Sequence, residues 1–71
     1  MSTSRREHRA KIAEARNVLG EVISRARFAG EPTILVNRGK EAAVIVPYDL
    51  YERAMTALGE TRVPVQGTEN A

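Results

Sequence analysis

Apolar positions recur at helical spacing through the first half of the chain and then change to short continuous runs. Ala15, Val18, Leu19, Val22, Ile23 and Ala26 make up the periodic set. Their spacing of i, i+3, i+4, i+7, i+8 and i+11 predicts an amphipathic helix. Glu21 and Arg25 add an i,i+4 ion pair on its polar side. The helix is predicted to end at Gly30, which suits a left-handed C-terminal cap, and Pro32 prevents its continuation.

Two β-branched runs, residues 33–37 and 41–46, follow this helix and are predicted to be strands. The three-residue link Arg38-Gly39-Lys40 joins them, and its glycine predicts an antiparallel hairpin with a bulged turn. Pro47 closes the second strand. Residues 48–58 then form a second helix with one apolar side, and Gly59 is its predicted C-terminal cap.

Both strands are apolar on both faces, and so few helices cannot cover them. We therefore expect an α/β (α+β) domain of helix, hairpin and helix that dimerises through its sheet. The predicted dimer interface consists of Ile34, Leu35, Val36, Val44, Ile45 and Val46. The predicted organisation is a basic N-terminal arm (1–11), a dimerisation domain (12–58) and a tail that is disordered when free (59–71).

Residues 7–11 give a weaker local signal than the rest of the domain. They could extend the first helix, form a short edge strand through Ala10 and Ile12, or remain a disordered basic arm. The sequence leaves these three alternatives open.

Composition excludes several classes of protein. The 71 residues contain no Cys, and His8 is the single His, which excludes disulfides and zinc fingers. No apolar run approaches the length of about 18 residues needed to span a membrane, and residues 2–11 lack the apolar core of a signal peptide. We therefore expect a soluble, cytoplasmic protein.

Catalytic motifs are also missing from the sequence. It has no Gly-rich phosphate loop, no complete Ser/His/Asp set and no carboxylate pair in a recognisable pocket motif. We therefore expect no enzymatic activity, no cofactor, no metal and no small-molecule substrate. Binding to another macromolecule is the expected class of function.

Charge is distributed unevenly along the chain. Residues 1–40 carry nine basic and four acidic side chains, a balance of +5, whereas residues 41–71 carry two basic and five acidic ones, a balance of −3. This asymmetry favours a polyanion at one end of the protein and a basic partner at the other. Arg25 and Arg27 are interpreted as surface charges of the first helix.

The order of several short motifs resembles the Phd/YefM family of bacterial antitoxins. These motifs are Glu14-Ala15-Arg16 opening a helix, Leu19 one turn later, Pro32 before an apolar strand, Asn37-Arg38-Gly39-Lys40, the strand Glu41-Ala-Ala-Val-Ile-Val46, and Tyr48-Asp-Leu-Tyr-Glu-Arg53. The resemblance covers about residues 12 to 58. It implies a homodimer that binds double-stranded operator DNA, represses its own operon, and neutralises a cognate toxin through its C-terminal segment.

The resemblance also implies roles for particular residues. Arg16 matches the family's helix-opening arginine associated with DNA contact, and Arg38 and Lys40 match its basic hairpin tip. The complete expected DNA-binding set is Arg5, Arg6, Arg9, Lys11, Arg16, Arg38 and Lys40. The expected toxin-binding set is Tyr51, Met55, Leu58, Val63 and Val65.

Other readings of the chain remain open at this point. The protein could be a stand-alone DNA-binding regulator without a toxin, or an interaction adaptor that does not bind DNA. A swapped-hairpin or ribbon-helix-helix regulator is the structural alternative.

Overall fold

A three-stranded mixed sheet and a set of short helices make up the domain. The computed structural model describes residues 5–65, so the parts of the expected arm and tail at 1–4 and 66–71 lie outside the described residues. The elements are β1 (His8–Lys11), α1 (Ile12–Asn17), α2 (Leu19–Ser24), a π-helical turn (Arg25–Ala29), β2 (Thr33–Asn37), β3 (Lys40–Ile45) and α3 (Tyr48–Leu58). Strand order is β1-β2-β3. The expected mixed α/β class is confirmed.

Strand β1 adds a third member to the expected hairpin. It runs parallel to β2, with His8 opposite Thr33 and Lys11 opposite Val36. The backbone N–H of His8 donates a hydrogen bond of 2.9 Å to the carbonyl of Pro32. Residues 8–11 therefore pair within the sheet, whereas the sequence placed them in a basic arm. Of the three alternatives for this segment, the edge strand is the one adopted.

The hairpin turn differs from the predicted one. Asn37 pairs with Lys40, so the turn contains only Arg38 and Gly39 rather than three residues. Both turn residues have positive φ, 53° for Arg38 and 79° for Gly39. Two successive left-handed residues form the tight turn whose twist matches that of the adjoining strands. The irregularity in register lies within the strand, between Leu35 and Val36, and not at the turn.

The first helix is interrupted rather than continuous. Val18 has φ −127° and ψ 34°, which lies outside the helical region and separates α1 from α2. Ala15, Val22 and Ala26 remain on one side and form the buried core. The rest of the predicted stripe, Val18, Leu19 and Ile23, is 42–44% exposed. Half of the apolar stripe therefore lacks a partner within one chain.

Arg25 ties the π-helical turn to the sheet. Its Nη2 donates a hydrogen bond of 3.1 Å to Oγ1 of the fully buried Thr33. Its Nη1 lies 3.9 Å from the Glu21 carboxylate, so the predicted ion pair is confirmed. The interpretation of Arg25 as a surface charge is wrong, because most of its side chain is enclosed between helix and strand. Arg27, in contrast, is exposed and its guanidinium lies over the ring of Phe28.

Helix α3 has the predicted bounds and ends at Gly59, whose φ of 71° is left-handed. None of its described residues is buried. Residues 60–65 form neither helix nor strand. Within residues 5–65, no helix is long and apolar enough to cross a membrane.

Candidate functional site

Three cations from separate parts of the sequence line one cleft. Lys11 ends β1, Arg16 belongs to α1, and Arg38 lies in the hairpin turn. The cleft has a volume of about 520 Å³. Its other lining residues are Ile12, Ala13, Val36, Asn37 and Gly39. We call this cleft, defined by Lys11, Arg16 and Arg38, the basic cleft.

The fold brings these cations together through two local features. Parallel pairing places Lys11 directly opposite Val36, near the end of β2. The start of α1 and the hairpin tip therefore lie at the same end of the strands. The Lys11 backbone N–H donates a hydrogen bond of 3.1 Å to Glu14 Oε1, which caps the first turn of α1. The cleft is therefore held by sheet register and a helix cap.

The structure places Arg16 at the end of α1, whereas the sequence motif had predicted that it opens a helix. Since α1 ends at Asn17, Arg16 is in the last turn of a six-residue helix, where a cation is compatible with the dipole. The case for Arg16 as a binding residue therefore rests on its exposure and on its place in the basic cleft.

A smaller cleft of about 320 Å³ adjoins the basic cleft and shares Lys11, Val36 and Gly39 with it. Arg9 lines this second cleft, and its Nη2 lies 2.8 Å from Glu41 Oε2. The Arg9 hydrogen bond is the main cause that lowers the pKa of Glu41 below its ordinary value. The carboxylate is therefore ionised at neutral pH and holds the Arg9 guanidinium.

The remaining expected DNA-binding residues lie outside the basic cleft. Arg5 is exposed and donates a hydrogen bond of 3.0 Å to the Gly30 carbonyl. Arg6 is exposed before β1, and Lys40 is exposed at the start of β3. The cleft thus contains three of the seven residues in the expected set, and the other four surround it or lie beyond it.

A half-buried side-chain hydrogen bond anchors the start of β1. His8 Nε2 lies 2.7 Å from Glu31 Oε1, joining the first strand to the loop before β2. The hydrogen bond with His8 is the main cause that lowers the pKa of Glu31, and Arg6 and Arg25 add smaller electrostatic contributions. This contact helps to fix the strand that carries Arg9 and Lys11.

The aromatic side of α3 contacts the segment that follows it. The Arg62 guanidinium carbon lies 5.3 Å from the Tyr51 ring centroid. Its nitrogens are 3.5 Å from the Tyr48 hydroxyl and 3.5 Å from Glu52 Oε2. Hydrogen bonding to Tyr48 is the main cause that raises the pKa of Arg62. Arg62 therefore holds the beginning of the tail against the first two turns of α3.

Apolar side chains of α3 and the following segment are left largely uncovered. Leu58 is 72% exposed, Val63 77% and Val65 87%, while Met55 is half-buried. Tyr51 is exposed despite the Arg62 contact. Among residues 5–65, no group of three or more His, Cys, Asp or Glu side chains could hold a metal ion.

Comparison with known proteins adds one match. Residues 7–62 match the model of the family described as antitoxin Phd_YefM of type II toxin-antitoxin systems. The chain belongs to the Phd/YefM antitoxin family. The match confirms the resemblance seen in the sequence and extends it through β1 to Arg62. No curated protein matches this antitoxin, and no solved structure matches it.

The structure also shows where the expected dimer residues of this antitoxin lie. Val44 is 49% exposed on β3, and the others are half-buried. The members of this set are Ile34, Leu35, Val36, Val44, Ile45 and Val46. Their role in dimerisation stays a prediction.

Sequence reasoning missed three residues of these surfaces. Asn37 lines the basic cleft, Glu41 pairs with Arg9, and Arg62 contacts the aromatic side of α3. Asn37 could have been found from its place beside the hairpin tip. The other two contacts join residues that are 32 and 11 positions apart, and no local pattern signals them.

Proposed function

We propose that this antitoxin is a homodimer that binds operator DNA to repress its own operon and neutralises a cognate toxin through α3 and its tail. The basic cleft is the observation that carries the DNA-binding part. Three exposed cations converge there, and each has a different place in the chain. Such a cluster of cations suits contact with the phosphate backbone of a duplex. Contacts between Arg or Lys and phosphates supply most of a protein's non-specific affinity for DNA.

The basic cleft also offers groups that suit base recognition. Arg16 and Asn37 line it together, and arginine and asparagine are the side chains that pair with guanine and adenine in the major groove. Lys11 and Arg38 on either side would set the position of the backbone. Arg5, Arg6 and Lys40 would add phosphate contacts around this centre.

A second copy of the chain is the proposed cover for the unpartnered apolar surface. The outer half of the first helical stripe is exposed together with Val44 of β3. Exposed apolar surface of this kind in a small domain indicates an interface. Dimerisation would also double the number of cations that meet one duplex and would match a palindromic operator.

The toxin-binding part of the proposal rests on α3. No residue of this helix is buried, and Tyr51, Met55 and Leu58 extend along it towards the exposed Val63 and Val65. An amphipathic helix followed by a segment without regular secondary structure is suited to a groove on a partner. Family membership supplies the class of that partner, a toxin of a type II system.

Measuring how salt weakens binding to duplex DNA tests the repressor proposal. If Lys11 and Arg38 of the basic cleft meet phosphates, a dimer carries four such contacts, and the slope of log K against log salt should be about −3.6. Replacing Arg38 with Gln removes one contact per protomer and should reduce the slope to about −1.8. Arg27→Gln is the matched control, since Arg27 is exposed and lies over Phe28 outside the cleft.

Three results of these experiments would change the proposal. A slope near zero for the unaltered protein would remove the repressor function and favour an adaptor. Equal losses from Arg38→Gln and Arg27→Gln would show that the basic cleft has no special part in binding. A stand-alone regulator would bind DNA as predicted but would bind and neutralise no toxin.

A further inference from the structure

We propose that Glu41 limits the affinity of this antitoxin for arbitrary DNA by holding Arg9 out of contact with phosphate. The inference rests on the proposed DNA-binding function and adds a residue that governs its specificity. Glu41 is an acidic residue placed beside a basic surface, and its carboxylate is 2.8 Å from the Arg9 guanidinium.

Arg9 lies close enough to the basic cleft to join it. Arg9 and Lys11 are two residues apart on β1, so they project from the same face of the strand, and their Cα atoms are separated by about 6.6 Å. The smaller cleft, which both residues line, adjoins the basic cleft through Lys11, Val36 and Gly39. A duplex seated on Lys11 would therefore pass within reach of a free Arg9 side chain.

The ion pair removes Arg9 from this electrostatic surface. An arginine that already has a carboxylate partner brings no net positive charge to the duplex, and it releases no additional counterions when it meets a phosphate. Glu41 also places its own negative charge near the approaching backbone. The pair spans the sheet from β1 to β3, since Lys11 and Glu41 lie opposite the same residue, Val36.

The pair is also exposed enough to be exchangeable. The Arg9 side chain is 52% exposed and the Glu41 side chain 62%, so solvent and salt reach both partners. Exposed pairs of this kind add little to folding stability. Their charge is therefore available for a role in binding, and neutralising Glu41 should free Arg9 without unfolding the domain.

The low non-specific affinity that results would favour recognition of a single site. Arbitrary DNA is present in very large excess and competes with the operator for the repressor. The ratio of specific to non-specific affinity therefore decides how well the repressor occupies its operator. Cations that bind any phosphate raise both affinities, whereas base contacts raise only the specific one. Holding one arginine per protomer in an internal pair therefore shifts the balance towards the cleft residues that contact bases.

The test compares Glu41→Gln with the unaltered chain on a random-sequence duplex over a range of salt concentrations. The variant should bind roughly tenfold more tightly per freed arginine at about 50 mM salt, and its log K against log salt should be steeper by about 0.9 per protomer. Glu21→Gln is the matched control. It makes the same change in net charge and also loosens an ion-paired arginine, Arg25, but neither partner lines a cleft that contains Lys11.

A double-mutant cycle with Arg9→Gln shows whether the gain acts through Arg9. Arg9→Gln alone should weaken binding, because it leaves the Glu41 carboxylate unpaired near the duplex, and in that background Glu41→Gln should restore the affinity and salt slope of the unaltered chain without exceeding them. A gain above the unaltered chain that persists without Arg9, or one that Glu21→Gln reproduces, would overturn the proposal. Equal losses of thermal stability in the Arg9 and Glu41 variants, with unchanged salt slopes, would overturn it too and would assign the pair a structural role.

The same salt slopes distinguish loss of the Glu41 role from loss of DNA binding itself. If the unaltered chain and Glu41→Gln bind DNA with the same salt slope, the repressor function stands and the role of Glu41 falls. If neither binds DNA in a salt-dependent way, both fall.

Discussion

Truncating Leu58 should separate partner binding from folding. Leu58 is on the last turn of α3 and is 72% exposed, so Leu58→Ala removes little that contributes to the stability of the free chain. Burying a whole leucine side chain contributes about 1.5–3 kcal/mol. If a toxin covers the exposed part, the substitution should cost about 1–2 kcal/mol of binding free energy, a loss of roughly five- to thirty-fold in affinity.

Titration calorimetry against the cognate toxin is the suitable assay. Thr56→Ala is the matched control, because residues two positions apart on a helix are separated by about 200° around its axis. Thr56 is also exposed, so the two variants differ in the side of α3 that they alter. Thr56→Ala should leave the affinity unchanged, and neither variant should alter the salt slope of DNA binding.

If Leu58→Ala combined with Met55→Ala bound the toxin with undiminished affinity, the apolar side of α3 would have no part in capture. The toxin-binding site would then have to be sought elsewhere on the antitoxin.

Three further predictions concern assembly, the tie between helix and sheet, and pH. Val44→Asp should convert a dimer to a monomer in sedimentation experiments, because a second copy would bury an unpaired carboxylate; an unchanged dimer would exclude this face. Arg25→Met should cost about 1–3 kcal/mol in urea unfolding by leaving the buried Thr33 hydroxyl without its donor, and adding Thr33→Val should restore part of that loss. The pKa of Glu31 is lowered in the folded chain, so its contribution to stability is fully present above the ordinary value of 4.5 and is lost as pH falls through the folded value. Glu31→Gln should therefore flatten the acid side of the stability curve measured by thermal unfolding, and identical curves would show that the contact with His8 is negligible.

Local signals predicted the elements that local chemistry determines. Gly30 and Gly59 both adopt the left-handed conformation that their positions after apolar stripes had indicated. The bounds of β2 and α3 agree with the predicted ones, because breakers such as Pro32 and Pro47 lie just before them. These features depend on the backbone conformation of a few neighbouring residues, and the glycines and prolines in the sequence indicate that conformation.

Features that depend on pairing between residues far apart in the sequence could not be predicted as well. Strand β1 contains two cations in four residues and no alternating apolar pattern, and it is a strand because its backbone pairs with β2. The two-residue turn requires Arg38 in a left-handed conformation, which arginine seldom adopts without support from the adjoining strands. The break at Val18 similarly redirects a stripe that reads as continuous in the sequence.

The distinction between near and distant pairing also explains which functional residues could be anticipated. Motif order pointed to Arg16 and Arg38 separately, but only the parallel register of β1 with β2 brings Lys11 to the same cleft. The same register lets Arg9 reach Glu41, although 32 positions separate them. In the proposed DNA-binding function, a basic residue can therefore add to affinity or be withheld from it, depending on an acidic partner that the linear charge pattern does not reveal. Counting cations along the first 40 residues overstates the positive surface, because two of them, Arg9 and Arg25, are engaged with carboxylates across the fold or along the helix.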